Sequence, residues 1–327
     1  MKERVLITGA SGFVGYHLVE EALRNNLEVF AAVRKSSQTE HLKHLDIKYT
    51  YPDFDNLAAL QKEFEDNQYH YIIHAAGLTR AKNQQAYNAV NVNYTVNLAK
   101  AAAASATFKK FVFISSLAAL GPLHTLTGII NDNSIPRPVT SYGKSKLLAE
   151  EKLKTIAGLN CTILRPTAVY GPRDKDIYIA LKQFAKGFEP YIGTAAQKLS
   201  FIYVTDLAKA SIRALFSGKN QAYNLSDGNF YDRYELADIT KDILRSKTYK
   251  IHLPVNFVKI IASVSEFVGY LRRQTPVLNR EKLHELTATN WHCSIEEAKH
   301  DMGFYPQHDL KAGLRETISW YKANKWL

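Results

Sequence analysis

The chain has 327 residues, 46% hydrophobic and 22% charged, which excludes a low-complexity protein and allows a sizeable buried core. Its net charge is +11, but the basic residues are scattered without an aromatic-interleaved basic motif, so nucleic-acid binding is not expected. Cys161 and Cys293 are too few for a disulfide framework or a zinc site, and no run of 18 apolar residues predicts a membrane-spanning helix.

The first apolar run starts at Val5, which leaves no room for a signal peptide and, with the few cysteines, predicts a cytoplasmic protein. Residues 5–8 read as a buried parallel strand, followed by a glycine-rich turn and a helical pattern. Strand, glycine turn and helix in this order predict a dinucleotide site, because the free amides at the helix start favour phosphates. The cofactor contacts expected in this turn are Gly9, Ser11, Gly12, Phe13, Val14 and Gly15.

The second strand, residues 28–33, ends at Arg34 with no carboxylate beside it. In a site for NAD, an acidic residue at this position binds the ribose 2′-hydroxyl. In a site for NADP, a basic residue binds the 2′-phosphate instead. Arg34 can fork a phosphate, so NADP is the expected cofactor. The alternative is that Arg34 is an ordinary solvated residue and that the site binds NAD without an acidic residue here.

A third strand over 49–51 leads to Asp53 and Phe54, which are expected at the adenine end of the cofactor. Asp53 would bind the adenine amino group or, alternatively, cap the helix that begins near position 56. The fourth strand, 71–74, ends at small residues that let a cofactor lie against the backbone, with His74 taken as structural. These cofactor-lining residues are Ala75, Ala76 and Gly77.

The fifth strand, 111–114, ends at Ser115 and Ser116, at the edge where open parallel sheets bind ligands. Tyr142 and Lys146 lie four residues apart in the next predicted helix and share one face. A lysine ammonium there is expected to lower the pKa of the phenol. Ser116 and Tyr142 would then both donate to one carbonyl oxygen. Asn93, in the helix between, would hold a water or the backbone at Lys146, or else only bond within its own helix.

Together these motifs resemble the extended short-chain dehydrogenase/reductases, the superfamily of nucleotide-sugar epimerases, dehydratases and 3β-hydroxysteroid-dehydrogenase-like reductases. The resemblance runs over roughly the first 210 residues, ending with 164–172 and 204–208. It implies a Rossmann-type doubly wound α/β sheet with a smaller, mainly helical C-terminal substrate lobe. It also implies catalytic roles for Ser116, Tyr142 and Lys146, with Lys146 also on the nicotinamide ribose. Further cofactor contacts implied are Pro166, Ala168 and Val169.

Three departures from the family pattern bear on the substrate. Ala168 stands where nucleotide-sugar enzymes usually carry an asparagine, and Leu199 where many carry an arginine, with only Lys198 beside it. Leu117 and Ala118 replace the acidic pair of the dehydratases. The resemblance therefore favours a less charged carbonyl or alcohol, as in the 3β-hydroxysteroid-dehydrogenase-like and dihydroflavonol-reductase-like branches, over a nucleotide sugar.

The predicted organisation is a dinucleotide-binding domain over 1–171, to which 200–225 returns, and a substrate lobe made of 172–199 and 226–327. An apolar helical pattern over 255–271 predicts a buried amphipathic helix, with a substrate lid or a membrane-surface contact as alternatives. By analogy with the family, a homodimer through the helices near Asn91 and Tyr142 is expected.

The predicted function is NAD(P)-dependent hydride transfer between NADPH and a carbonyl or secondary alcohol of a non-nucleotide small molecule. One alternative is a nucleotide-sugar epimerase that keeps NAD tightly bound. The other is a catalytically silent NADP sensor or scaffold, which the intact Ser116, Tyr142 and Lys146 set disfavours.

Overall fold

The structure, a computed structural model, describes residues 2–271 and 279–327. Seven strands form one parallel sheet in the order β11-β6-β5-β4-β1-β2-β3, and six shorter strands pair two by two. The strands are β1 Arg4–Thr8, β2 Glu28–Ala32, β3 Lys48–Thr50, β4 Tyr71–His74, β5 Lys110–Ile114, β6 Cys161–Pro166, β7 Ala168–Tyr170, β8 Phe188–Ile192, β9 Lys198–Leu199, β10 Phe201–Tyr203, β11 Ala222–Leu225, β12 Tyr231–Asp232 and β13 Tyr249–Leu253. The helices are α1 Phe13–Arg24, α2 Leu57–Asn67, α3 Gln84–Asn88, α4 Thr95–Ala104, α5 Ser141–Lys154, α6 Asp176–Ala185, α7 Val204–Phe216, α8 Glu235–Leu244, α9 Val255–Leu271, α10 Arg280–Leu286, α11 Glu296–Met302 and α12 Leu310–Ala323.

Helices cover both faces of the sheet, which is why its strands read as continuous apolar runs. In β1, Val5, Leu6 and Ile7 are all fully buried. Helices α1 and α7 pack on one face, and α2, α4 and α5 pack on the other. The predicted Rossmann-type doubly wound fold is confirmed.

The chain builds the sheet outward from β1 in one direction and then returns to build β4, β5 and β6 on the other side of it. Such a reversal leaves a crevice at the carboxyl ends of the central strands, where this class of sheet binds ligands. Four strand ends meet at that edge, at Thr8, His74, Ile114 and Pro166. The predicted site residues come from these ends and from the segments that follow them.

Most of the remaining chain is helical and packs on a core of its own. Tyr170, Phe184, Leu314 and Tyr321 belong to this core, which joins α6, α8 and α12. The boundaries predicted for the two lobes stay a prediction, although β11 does lie at the edge of the main sheet. None of the helices in the described ranges is both long enough and apolar enough to cross a bilayer.

Candidate active site

The glycine-rich turn after β1 packs closely on the backbone around it because two residues lack a side chain. Gly9 has φ +69°, and a Cβ there would lie 2.9 Å from the Ala76 nitrogen. A Cβ at Gly15 would lie 2.0 Å from the Gly9 carbonyl oxygen, so α1 packs on the turn without one. Gly12 precedes α1, and within the described residues no side chain caps this helix start. The free amides of the first turn suit an anionic group.

A buried hydrogen-bond chain fixes the end of β4 beside this turn. His74 Nδ1 lies 2.7 Å from Thr8 Oγ1, and His74 Nε2 lies 2.8 Å from Thr95 Oγ1. Thr95 donates its own proton to the Asn91 carbonyl, so Nε2 of His74 must carry the hydrogen. Thr8 in turn accepts from the Ala76 N–H at 3.0 Å. Burial lowers the pKa of His74 to about 3, and the histidine is a neutral structural residue, in line with the expectation from sequence.

Asn91, and not Asn93, faces the catalytic helix. Its amide nitrogen donates to Ser145 Oγ at 2.9 Å and to the Leu78 carbonyl at 3.0 Å, and its oxygen accepts from the Leu78 N–H at 2.7 Å. Asn93 is exposed, so the contact with α5 that was predicted for Asn93 is made by Asn91, while a role of Asn93 toward a bound water stays a prediction. Asn91 lies four residues before the buried Thr95 and shares its helix face, whereas Asn93 does not; the turn that carries both asparagines, Ala89–Tyr94, is π-helical.

Ser116 and Tyr142 lie next to each other. Ser116 begins a short turn and accepts from the Ala118 N–H at 3.2 Å, which holds its hydroxyl at the end of β5. Tyr142 is in the first turn of α5, which is capped by the Thr140 hydroxyl. Burial raises the pKa of Tyr142, while its hydrogen bond with Ser116 lowers it. The two side chains are thus close to each other, and their joint contact with one ligand oxygen stays a prediction.

Lys146 points to the sheet and not to the phenol. Its Nζ donates to the Ile114 carbonyl at 2.9 Å and lies 4.7 Å from the centre of the Phe113 ring. Burial lowers the pKa of Lys146 to about 8. The predicted lowering of the Tyr142 pKa by Lys146 is wrong for this structure, because the flexible side chain carries the ammonium to the strand end. A Cβ at Gly77 would lie 3.4 Å from Nζ, which puts Lys146 at the predicted cofactor edge.

An ion pair beneath the catalytic helix was missed by the sequence reasoning. The Arg165 guanidinium donates from Nε to Glu150 Oε2 at 3.0 Å, and Ser115 donates to the same carboxylate. Arg165 is 4% exposed and Glu150 1% exposed. The sequence does contain a sign of this pair. Glu150 follows Lys146 by one helical turn, and Arg165 interrupts an apolar strand. The pair ties α5 to β6.

The other predicted cofactor residues lie around the same edge. Arg34 is exposed just beyond β2, and its side chain has no hydrogen-bond or ion-pair partner among the residues that the structure describes. Asp53 is exposed and accepts from the Asp55 N–H at 3.2 Å, while Asn56, not Asp53, caps α2. Phe54 is half-buried and stacks on Tyr94, with ring centres 5.9 Å apart.

The remaining predicted contacts follow the strand ends along the sheet edge. Pro166 ends β6, and Ala168 begins β7, where it is exposed. Val169 is half-buried next to it, and Val14 at the start of α1 packs its side chain on the sheet. Only the backbone of Val14 is thus available to a phosphate.

These residues fit a nicotinamide dinucleotide. The turn from Gly9 to Gly15 would hold the pyrophosphate, since it leads into the start of α1, where no side chain of the described residues occupies the free amides. Lys146 and the backbone at Gly77 lie together where the nicotinamide half would reach Ser116 and Tyr142. Arg34 would meet the adenosine ribose. The site thus has two hydroxyl donors, Ser116 and Tyr142, at the nicotinamide end and a turn suited to phosphates at the other end.

Comparison with known proteins agrees with this geometry. The model of the NAD dependent epimerase/dehydratase family matches residues 5–226. A UDP-glucose 4-epimerase of Vibrio cholerae is 28% identical over 97% of this chain and 95% of its own. A ceramide reductase of Caulobacter vibrioides is 26% identical over 99% of this chain and 96% of its own. The solved UDP-glucose 4-epimerase of Thermus thermophilus in complex with NAD is 21% identical, has a TM-score of 0.79, and covers 98% and 99% of the two chains.

Proposed function

The chain belongs to the NAD-dependent epimerase/dehydratase family, and we propose that within it the protein is an NADP-preferring oxidoreductase. Its substrate would be a carbonyl compound, or the corresponding secondary alcohol, that is not a nucleotide sugar. The relatives of this chain include both an epimerase and a reductase, so the proposal rests on this chain's own residues.

The observation that carries the proposal is the position of Ser116, at the end of β5, beside Tyr142 in the first turn of α5. A substrate oxygen seated between the two hydroxyls accepts from both, which makes its carbon more electrophilic. Tyr142 then gives its proton to that oxygen. The hydride for the carbon would come from NADPH, held by the turn from Gly9 to Gly15 and by Lys146. Lys146, whose Nζ lies beside Gly77, would hold the nicotinamide ribose.

The preference for NADP is supported by Arg34. Its guanidinium stands exposed at the end of β2, where the family places the adenosine ribose. A planar guanidinium matches a phosphate with two parallel hydrogen bonds. The solved epimerase from Thermus thermophilus carries NAD, so this chain would differ from it in cofactor.

The proposal of an uncharged substrate is supported by the contacts of three basic side chains. Each of them already binds another group of the protein. Arg165 is paired with Glu150, and Lys198 Nζ lies 4.3 Å from the centre of the Phe230 ring. Arg233 donates to the carbonyls of Ile192 and Ala195. With Ala168 in place of an asparagine, this part of the chain offers a diphosphate few free donors.

The test is a cofactor and turnover experiment on the purified full chain. The proposal predicts that NADPH exchanges freely and is oxidised when ketones or aldehydes of different polarity are added, faster than NADH. NAD that survives gel filtration, together with interconversion of a UDP-sugar, would identify an epimerase instead. Tight NADPH binding with no turnover over the whole panel would leave a cofactor-binding sensor or scaffold.

A further inference from the structure

Helix α9 is apolar on two sides, and in the described ranges the protein covers only one of them. Val258 and Ala262 face inward and are 3% and 0% exposed. The outer face of α9 is formed by Phe257, Ile260, Ile261 and Val264, which are 52%, 63%, 41% and 56% exposed. Their spacing of three, one and three residues places them in one stripe along the helix. The predicted burial of this helix is therefore wrong for half of its apolar surface.

A groove extends this stripe toward α10. Its volume is about 410 Å³, and Ile260, Val264 and Leu283 line it. Lys259 and Arg280 stand at its rim. Four large apolar side chains beside an apolar groove are more than the scattered hydrophobic residues of an ordinary surface, and such patches mark contact sites.

We propose that the outer face of α9 docks the protein on an anionic lipid bilayer. An interfacial helix buries its apolar face at the headgroup boundary, while its basic residues contact anionic headgroups. The segment around the helix is basic: residues 245–266 carry Arg245, Lys247, Lys250 and Lys259 against the single acid Glu266, in a chain of net charge +11, although Lys250 also lies beside Glu189 and Asp238. Lys259 lines the groove beside the stripe and, in the described part of the chain, pairs with no carboxylate. The helix lies on the membrane, since none of the described helices can cross it.

The docking face is one helix away from the catalytic residues. Helix α10 packs against α9, and its Glu281 accepts from the Ser141 N–H at 2.9 Å and from the Ser141 hydroxyl at 2.6 Å. Ser141 directly precedes Tyr142, and Glu285 of the same helix adds to the rise of the Tyr142 pKa. Docking would thus bring the crevice next to the lipid surface. The proposal stands on this surface and does not depend on the reaction.

Flotation of the full-length protein with lipid vesicles tests the proposal. Vesicles containing phosphatidylglycerol should carry the wild type about tenfold more efficiently than pure phosphatidylcholine vesicles, and added salt should weaken the binding. The double variant Ile260→Ser/Val264→Ser should lose about tenfold or more of this binding, and Lys259→Glu should lose part of it. Ile135→Ser, at a 77% exposed isoleucine elsewhere, and Lys62→Glu on α2 are the matched controls.

Circular dichroism and thermal unfolding confirm that each variant is folded. Equal vesicle binding by the wild type and the double variant would overturn the proposal, as would equal losses in the controls. A wild type that ignores vesicles but dissociates from a dimer when Ile260 and Val264 become serine would overturn it too, and would identify the face as an interface between two copies. Vesicle binding without any carbonyl reduction would uphold it while the proposed reaction failed.

Discussion

The ammonium of Lys146 donates a hydrogen bond to the backbone carbonyl of Ile114, with Nζ and O 2.9 Å apart. Lys146 is 4% exposed, and burial lowers its pKa from 10.5 to about 8. The lysine is thus held at the strand end by one carbonyl and an aromatic ring, without a carboxylate in direct contact. A positive charge in this position destabilises the folded state.

Stability should therefore depend on pH through Lys146. Between pH 8 and 10.5 the folded state binds fewer protons at Lys146 than the unfolded state, so this group raises stability as pH rises. Below pH 8 the cost of burying the charge is fully present. The variant Lys146→Met lacks this term, so its unfolding free energy relative to wild type should fall by up to about 3 kcal/mol from neutral to high pH. Urea unfolding at pH 7 and pH 9.5 measures it; a difference that does not change with pH contradicts the shift.

The two neighbouring asparagines should behave differently. Asn91→Ala removes three hydrogen bonds between the α3–α4 segment, Leu78 and Ser145, and leaves buried polar groups unpaired. A loss of about 1–3 kcal/mol in unfolding free energy is expected, with lower turnover. Asn93→Ala is the matched control at an exposed site and should stay within about 0.5 kcal/mol of wild type. Similar losses of unfolding free energy in both variants would show that the hydrogen bonds of Asn91 do not contribute more to stability than an exposed asparagine.

The pair formed by Arg165 and Glu150 should be costly to break from one side. Arg165→Leu leaves a buried carboxylate with only the Ser115 hydroxyl beside it, and should cost about 3–5 kcal/mol. The double variant Glu150→Leu/Arg165→Leu should recover much of that loss, because no uncompensated charge remains. Chemical denaturation of the four proteins gives the coupling energy. A double variant as unstable as the sum of both single variants would mean that the two residues act independently.

Arg34 should set the choice of cofactor. Arg34→Ser should weaken NADPH binding by about 10- to 100-fold, the range for a charge-assisted hydrogen bond, and leave NADH binding nearly unchanged. Arg24→Ser, at the exposed far end of α1, is the control. Fluorescence titration with both cofactors measures the ratio. An unchanged ratio would mean that Arg34 is only a solvated surface residue.

The parts of the site that the sequence predicted are those fixed by the backbone. Gly9 and Gly15 have a position in the turn that other residues cannot fill, and Ser116 and Tyr142 follow directly from a strand end and a helix start. Such placements need only local geometry. The structure confirms where these residues lie in the fold. Their catalytic roles stay a prediction.

What could not be predicted depends on side-chain paths and on packing between distant segments. The spacing of Tyr142 and Lys146 gives a common helix face, but not the end point of a four-carbon side chain. Which of the two asparagines reaches α5 depends on how the segments pack, and it is Asn91 that bonds to Ser145. In α9 the apolar spacing is visible, but which of two apolar sides the rest of the chain covers depends on tertiary contacts.

The most direct test of the site is the variant Tyr142→Phe, which removes one hydroxyl and keeps the ring. Turnover with the best carbonyl substrate and the NADPH dissociation constant are measured on the same preparation. If Tyr142 donates the proton, turnover falls by about 10²- to 10⁴-fold while the dissociation constant stays within a factor of about two. Turnover near the wild-type value in this variant would contradict the assignment.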